Sequence, residues 1–336
     1  MTQLNQKELE LLCPICGNSG YEVLFSARDA DRLKAEPFEV VRCTDCELVS
    51  TRPFLSDEAQ GIWYRAKYHG WWKGIKWHPL HVITGFLQGN RFRFVNRHMQ
   101  EGSRLMDIGC GDGTFIKYME SRGFEVWGVE NPGLFPRSGE GDTDMDMKGL
   151  DVGTGPGGEV VQFDIVTVWH ALEHVEDPLS VLRRAHDALK TSGRLIISVP
   201  NFKSLQSVLC RGKWFHLDLP RHRWHFCPET MAGILQKSGF TITHIAHFSL
   251  EYSPFGWMQS LMNLCCCSHN FLYNLLKRRE SPFYARSSLK KLYDMFCAIV
   301  LGSVFAPVSF VLSVLESSIH RGGAITVVGK KTEVSG

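Results

Sequence analysis

LMDIGCGDGTF, residues 105–115, sets the frame for reading the rest of the chain. A short apolar run closes on Gly109, Gly111 and Gly113, and TFIKYMESRG (114–123) continues with helical periodicity up to Gly123. Glycines between a strand and a helix allow a tight turn and leave the backbone open to a ligand. FEVWGVE (124–130) reads as a second strand ending in Glu130, and GLDV (149–152) as a short third. FDIVTVW (163–169) is a buried strand. DPLSVLRRAHDALKTSG (177–193) is an amphipathic helix with Asp177 as N-cap and Pro178 at its first position. RLIISVP (194–200) is a strand, PETMAGILQKSGF (228–240) a helix, TITHIAHFS (241–249) a strand, and GGAITVVGKK (322–331) closes the chain as a last strand. Strands alternating with helices specify an α/β fold with a parallel sheet.

The glycine loop also discriminates between cofactors. The dinucleotide fingerprint G-x-G-x-x-G requires a glycine at 114, where this chain has Thr114. Asp107 and Asp112 flank the loop, and two carboxylates repel a pyrophosphate. They suit a ligand bearing an ammonium and a sulfonium, which S-adenosylmethionine (SAM) carries. Glu130, at the end of the next strand, is placed to accept both hydroxyls of a ribose. LMDIGCGDGTF, VWGVE, FDIVTVWHALEHVEDP and GRLIISVPN together resemble the class I SAM-dependent methyltransferases, over roughly residues 100–250 and the final strand. That resemblance implies a Rossmann-like seven-stranded sheet whose last strand is antiparallel. It also implies Asp107, Gly109, Cys110, Gly111, Gly113 and Glu130 as SAM contacts, with Trp169 and His170 beside the cofactor. The family's acid after the third strand, which holds the adenine amino group, has no clear match in GLDVGTGPGGEV (149–160).

WHALEHVEDP (169–178) contains His170, Glu173 and His174 as H-x-x-E-H, a zinc-protease spelling. That chemistry needs both histidines on one face of a helix. At most about two turns fit between the strand end and Pro178, so the protease reading fails. The segment instead follows a strand at the C-terminal edge of the sheet, where α/β proteins bind ligands. Methyl transfer needs an aligned nucleophile and removal of its proton. His174 is the expected general base, with Glu173 orienting it or binding an acceptor hydroxyl. The structural alternative is a turn in which His174 bonds only to backbone. A second group, HLDLPRHRWHF (216–226), offers Arg221 and His222 to grip an acidic acceptor such as a sugar diphosphate, or as rival bases.

Cys13, Cys16, Cys43 and Cys46 read C-x2-C-x26-C-x2-C, a structural zinc site in a zinc-ribbon-like module. Zinc ribbons often bind nucleic acid, so an RNA methyltransferase is the alternative. Residues 1–50 hold five Lys or Arg against nine Asp or Glu, a net of −4, which disfavours phosphate binding. The double cysteine pair ahead of LEHVEDP and DLPRHRWHF resembles bacterial sugar C-methyltransferases and glycan-modifying methyltransferases. The acceptor this implies is saccharide-type, nucleotide-linked or lipid-linked, with methylation at oxygen or carbon. A non-enzymatic variant of the reading keeps SAM only as a sensed ligand of a membrane scaffold.

The remaining features bound location and partners. With 44% hydrophobic and 21% charged residues the chain is globular, and its formal charge of +2 predicts no nucleic-acid partner. Its polar start, MTQLNQKELE, lacks a signal-peptide core, and the eleven cysteines fit a reducing compartment. A cytoplasmic protein is expected. Residues 295–315 carry no charge, yet a span would strand the last strand of the sheet on the far side of a membrane. A hairpin or interfacial insertion at the inner face of the cytoplasmic membrane is favoured, with a buried helix pair as the soluble alternative. Lys277, Arg278, Arg279, Arg286, Lys290 and Lys291, and Trp63, Trp71, Trp72 and Trp77 among Lys and Arg, fit a peripheral contact with an anionic surface. The expected organisation is a zinc module (1–53), an aromatic and basic helical linker (54–100), the SAM-binding core (101–250), an apolar insertion (251–319) and the last strand (320–336).

Overall fold

The computed structural model describes residues 12–29, 36–56, 59, 79–100, 102–130, 161–265, 268–276 and 288–332. In chain order its elements are β1 (Tyr21–Ala27), β2 (Phe38–Cys43), β3 (Val49–Arg52), α1 (Pro79–Asn96), β4 (Arg104–Ile108), α2 (Thr114–Glu120) and β5 (Glu125–Val129). β6 (Phe163–Trp169), α3 (Pro178–Ala188), β7 (Leu189–Pro200), α4 (Leu205–Cys210), β8 (Trp224–His225) and α5 (Pro228–Lys237) follow. β9 (Phe240–Ala246), α6 (Ser253–Leu264), α7 (Phe271–Leu276), α8 (Ser288–Ser318) and β10 (Ala324–Lys331) complete the chain.

Among the described residues six strands form the main sheet, in the order β5-β4-β6-β7-β10-β9. β4 pairs in parallel with β5 and β6, and β6 with β7, while β10 runs antiparallel to both β7 and β9. The antiparallel last strand is as expected. The third strand expected at GLDV lies outside the described residues, and so does Asp151. Leu105, Ile165, Val166, Ile196, Ile197 and Val328 are fully buried, which explains why these strands read as continuous apolar runs.

The helix expected over 177–193 stops at Ala188. Asp177 caps it by accepting from the Ser180 N–H at 3.0 Å, with Pro178 at the first turn, as the sequence indicated. Leu189 pairs with Phe163 of β6, so the weak helix formers Thr191, Ser192 and Gly193 enter β7 instead.

The cysteine-bearing segment forms a second antiparallel sheet, β1-β2-β3-β8. Its last member comes from HLDLPRHRWHF: Val49 opposes His225, and Ser50 opposes Trp224. Cys13, Cys43, Leu48 and Phe54 share one core with Trp224, Phe226, Met231 and Ile234. The expected boundary at residue 53 is therefore bridged by a strand from the catalytic half. Of the aromatic and basic stretch, α1 is described, while Trp63, Trp71, Trp72 and Trp77 lie outside the described residues.

The apolar stretch is neither of the two paired-helix forms expected. It is one continuous 31-residue helix, α8, with Pro307 inside it, not a hairpin. Nor is it a buried pair, because only 17% of its most apolar window is buried. Cys110, Cys210, Cys227 and Cys297 are buried, as expected of small hydrophobes, and Cys265 is exposed.

Candidate active site

The site lies where the loops leave the C-terminal ends of β4, β5, β6 and β7. Gly109, Gly111 and Gly113 all adopt left-handed backbone, with φ of 78°, 58° and 72°. The amides of Gly109 and Cys110 bond to the Val129 carbonyl at 2.7 and 3.3 Å, which ties the loop to the end of β5. A Cβ on Gly109 would sit 2.3 Å from Ala171 Cβ, whereas one on Gly111 would meet nothing within 4 Å. Gly109 thus lets two loops pass each other, and Gly111 leaves open space. Gly109→Ala is expected to yield little soluble protein, while Gly111→Ala folds but binds SAM at least about tenfold more weakly by isothermal titration. Equal SAM affinity in Gly111→Ala and the parent would take this loop out of the cofactor site.

Glu130 is buried, and its carboxylate accepts from the Gly111 N–H at 2.7 Å. Asp107 opposes Thr167 across the β4–β6 ladder and accepts from its hydroxyl at 2.6 Å. Burial pushes Asp107 up to about 7, partly offset by that hydroxyl and by Arg91. Asp112 instead accepts from the amide and the hydroxyl of Thr114, the first residue of α2. The Cys110 side chain turns inward beneath β5, so only its backbone faces the loop.

Trp169 ends β6, edge-on to Phe115 at 6.0 Å, and its indole N–H has no hydrogen-bond partner among the described residues. His170 follows with φ 49°, its amide bonded to the Ser198 carbonyl at 2.9 Å and its ring stacked on Tyr252 at 3.5 Å. Burial lowers His170 to about 3, so the ring is neutral and its 3.4 Å approach to Glu173 is not an ion pair. Residues 170–175 form a turn, not a helix, which removes the protease geometry.

Glu173 is 1% exposed, and neither carboxylate oxygen has a hydrogen-bond partner among the described residues. Burial pushes it up to about 7. Its backbone carbonyl accepts from the amides of Arg223 and Trp224, so the turn is pinned to the segment that carries β8. His174 Nδ1 lies 3.0 Å from the Arg221 carbonyl, and His222 Nδ1 lies 2.8 Å from the His216 carbonyl. Each imidazole thus donates through Nδ1 and presents Nε2 as an acceptor. The two rings meet edge to face at 4.6 Å, and His222 Nε2 is 3.9 Å from Glu173. Glu173, His174 and His222 each offer a ligand atom within 4.8 Å of the others, a set able to share a proton or hold a cation. Arg221 is 2% exposed and locked through Nε and Nη2 onto both carboxylate oxygens of Asp218, so its charge is used inside the loop.

Sequence reasoning missed the cover of the site. Arg91 of α1 donates to both oxygens of Glu251, at 2.9 and 2.8 Å, and to the Tyr252 hydroxyl at 2.8 Å. Its guanidinium lies 5.3 Å from the Trp169 ring centre. Arg91, Phe94, Trp169, Ser198, Glu251 and Tyr252 line a cleft here. Nothing local in NRFRFV or LEYSP signals a pairing across 160 residues.

The four thiols of Cys13, Cys16, Cys43 and Cys46 lie within 4.8 Å of one another, with Cys13–Cys46 at 3.3 Å and Cys16–Cys43 at 3.4 Å. Sulfurs around a tetrahedral zinc lie roughly 3.8 Å apart, so the set fits the ion. Both pairs sit on matching knuckles, in which Gly17 and Glu47 adopt φ of 80° and 62° four residues after the first cysteine.

A family model described as a methyltransferase domain matches residues 83–245. The ubiquinone biosynthesis O-methyltransferase of Stutzerimonas stutzeri is 31% identical over 212 residues, covering 59% of this chain and 88% of that protein. The chain belongs to the SAM-dependent methyltransferases. The protein of the same name from Ruegeria pomeroyi is 28% identical over 242 residues, covering 63% of this chain and 93% of its own. A solved SAM-dependent methyltransferase from Archaeoglobus fulgidus aligns with a TM-score of 0.41 at 22% identity, covering 74% of this chain and 94% of that one. These relatives are named for ubiquinone biosynthesis, not for sugar methylation. The family match begins after the four-cysteine segment.

Proposed function

We propose that this methyltransferase moves the methyl group of SAM to a hydroxyl oxygen of a saccharide-type acceptor, nucleotide-linked or lipid-linked. The observation that carries the reading is the Glu173 carboxylate, buried without a hydrogen bond among the described residues, beside two imidazoles that are each held through Nδ1. Bound SAM supplies an electrophilic methyl on a sulfonium, so no acid is needed for the leaving group. The chain's own residues must place a hydroxyl and take its proton. In this reading His174 Nε2 accepts the proton, Glu173 balances the resulting imidazolium, and His222 hydrogen-bonds the acceptor. Asp107 and the 109–113 backbone hold the amino acid end of SAM, and Glu130 its ribose. Carbon methylation uses the same base if the acceptor first forms an enolate.

A second reading takes the acceptor class from the relatives, whose names place them in ubiquinone biosynthesis. A phenolic hydroxyl suits the same base. The zinc assignment belongs with the proposal too: four thiolates close a coordination sphere, which makes the ion structural.

The test is transfer of labelled methyl from SAM in a lysate of source cells lacking the enzyme, with Glu130→Ala as control. Products are split into butanol, aqueous and nucleic-acid fractions. Aqueous label that co-elutes with nucleotide sugars, or butanol label released by mild acid, supports the saccharide reading. Acid-stable butanol label supports the quinone-type acceptor. Label in RNA overturns both.

A further inference from the structure

α8 is built inside out. Toward the protein it turns Asp294, Ser309, Ser313 and Glu316, all 0–1% exposed. Away from it point Phe296, Ile299, Val304, Val311 and Leu315, each 54–66% exposed. A helix on a soluble surface does the reverse and buries its apolar stripe. Residues 295–315 contain no charge, and at 1.5 Å per residue they cover about 32 Å.

Beneath α8 the packing is mixed. α6 and α7 meet it in an apolar cluster of Met262, Phe271 and Ala298, and α6 also buries Gln259 and Asn263. Gln259 donates to Asn263 at 3.0 Å, Asn263 to Asn270 at 2.9 Å, and the Ser268 hydroxyl to Asp294 at 2.6 Å. Buried, hydrogen-bonded acidic groups on the inner face, here Asp294 and Glu316, with apolar residues facing outward, are an arrangement helices adopt when the outer medium is lipid. A protein partner would cover the apolar face without requiring Asp294 and Glu316 to be buried behind it.

Both ends of α8 are tied to the same catalytic body. At the C-terminal end Glu316 accepts from Gln206 at 2.9 Å and from the Gly323 amide at 2.8 Å, and the Ser317 hydroxyl donates to the His247 carbonyl at 2.8 Å. At the other end Asp294 holds Ser268, and the adjoining end of α6 is held by Asn263 on the Lys213 carbonyl at 3.1 Å. A spanning helix would need these ends on opposite sides of a bilayer. α8 instead lies along the enzyme, with Lys290 and Lys291 exposed at its start and Phe248 packed against Phe310 near its end.

We infer that the outward face of α8 seats the enzyme on a membrane, lying in the bilayer plane with its apolar side chains at the acyl-chain boundary. This holds whichever acceptor the enzyme uses. The test is flotation of the purified full chain with phosphatidylcholine and phosphatidylglycerol vesicles (7:3) at 0.15 and 1 M NaCl. The protein is expected to float at both salt concentrations, and V304D/V311D to float at least about tenfold less with unchanged circular dichroism and SAM affinity. Should that variant fail to fold, F310W is the second probe. Lipids brominated on the acyl chains are expected to quench F310W more than the parent protein. The inference is overturned if the parent does not float, if V304D/V311D floats equally, if 1 M NaCl removes binding, or if F310W gains no quenching. A stable dimer that V304D/V311D converts to monomer, without vesicle binding by the parent, would assign the face to a second copy.

Discussion

Glu173→Gln is expected to lower kcat by about 10²-fold or more while making the protein more stable above pH 7. Both effects arise from the burial of one carboxylate. Glu173 is 1% exposed and pushed up to about 7, against an unfolded value of 4.5. A folded pKa raised above the unfolded one means that ionisation costs stability as pH rises between the two. The penalty is absent below 4.5 and complete above 7, where it amounts to about 3 kcal/mol. Glutamine has no such penalty, so Tm should rise by a few degrees at pH 8 and stay unchanged at pH 4. The parent enzyme's kcat/KM should climb with pH to a plateau with a midpoint near 7, where Glu173 ionises. If the pair acts as a unit, E173Q/H174A is no slower than H174A alone. An unchanged kcat in Glu173→Gln would remove the pair from the chemistry. A Tm gain that is equal at pH 4 and pH 8 would assign it to packing.

The second large effect is expected from the cysteines. Metal analysis of the purified chain should find close to one zinc per molecule, and Cys43→Ser almost none. Zinc supplies about 10–16 kcal/mol of folding free energy in isolated zinc-finger peptides. Part of that is replaced here by packing on the shared core, so a Tm loss of at least about 10 °C is expected from Cys43→Ser or from a strong chelator. Methyl transfer should fall with it, although the cysteines lie outside the reaction site. The route is structural. The Thr51 amide donates to the Arg223 carbonyl at 2.9 Å, and its hydroxyl to the His222 carbonyl at 2.7 Å. β3 thereby fixes the segment that carries His222 and, through Arg223 and Trp224, the Glu173 turn. A fully active, equally stable protein containing no zinc would refute this account.

The fold was readable because its signals are local. Three glycines after an apolar run, a Pro after an N-cap Asp and runs of Val, Ile and Leu follow from short-range sterics and burial. The helix end at Ala188 was not readable, since pairing of Leu189 with Phe163 in β6 outweighed the local pattern. The site was half readable. His174, Glu173 and His222 could be nominated as chemistry-bearing residues at a sheet edge, but the residue type of Arg221 suggested an anion grip that Asp218 already takes up. Asp112 likewise suggested a ligand contact, and its carboxylate is bonded to Thr114 at the start of α2.

The sequence by itself determined the α/β class, the glycine loop with Asp107 and Glu130, the cysteine set and the uncharged stretch at 295–315. These depend on residue type at fixed spacing, which a linear chain displays. Tertiary structure alone decided that β8 joins the cysteine module to the catalytic half, that Arg91 meets Glu251 and Tyr252, and that α8 turns Ser309 and Ser313 inward. Such contacts join residues far apart in the chain, as Thr51 and His225 do across 174 positions, and no local preference encodes them. They are fixed only when the two core sheets close and each buried polar group must find its partner.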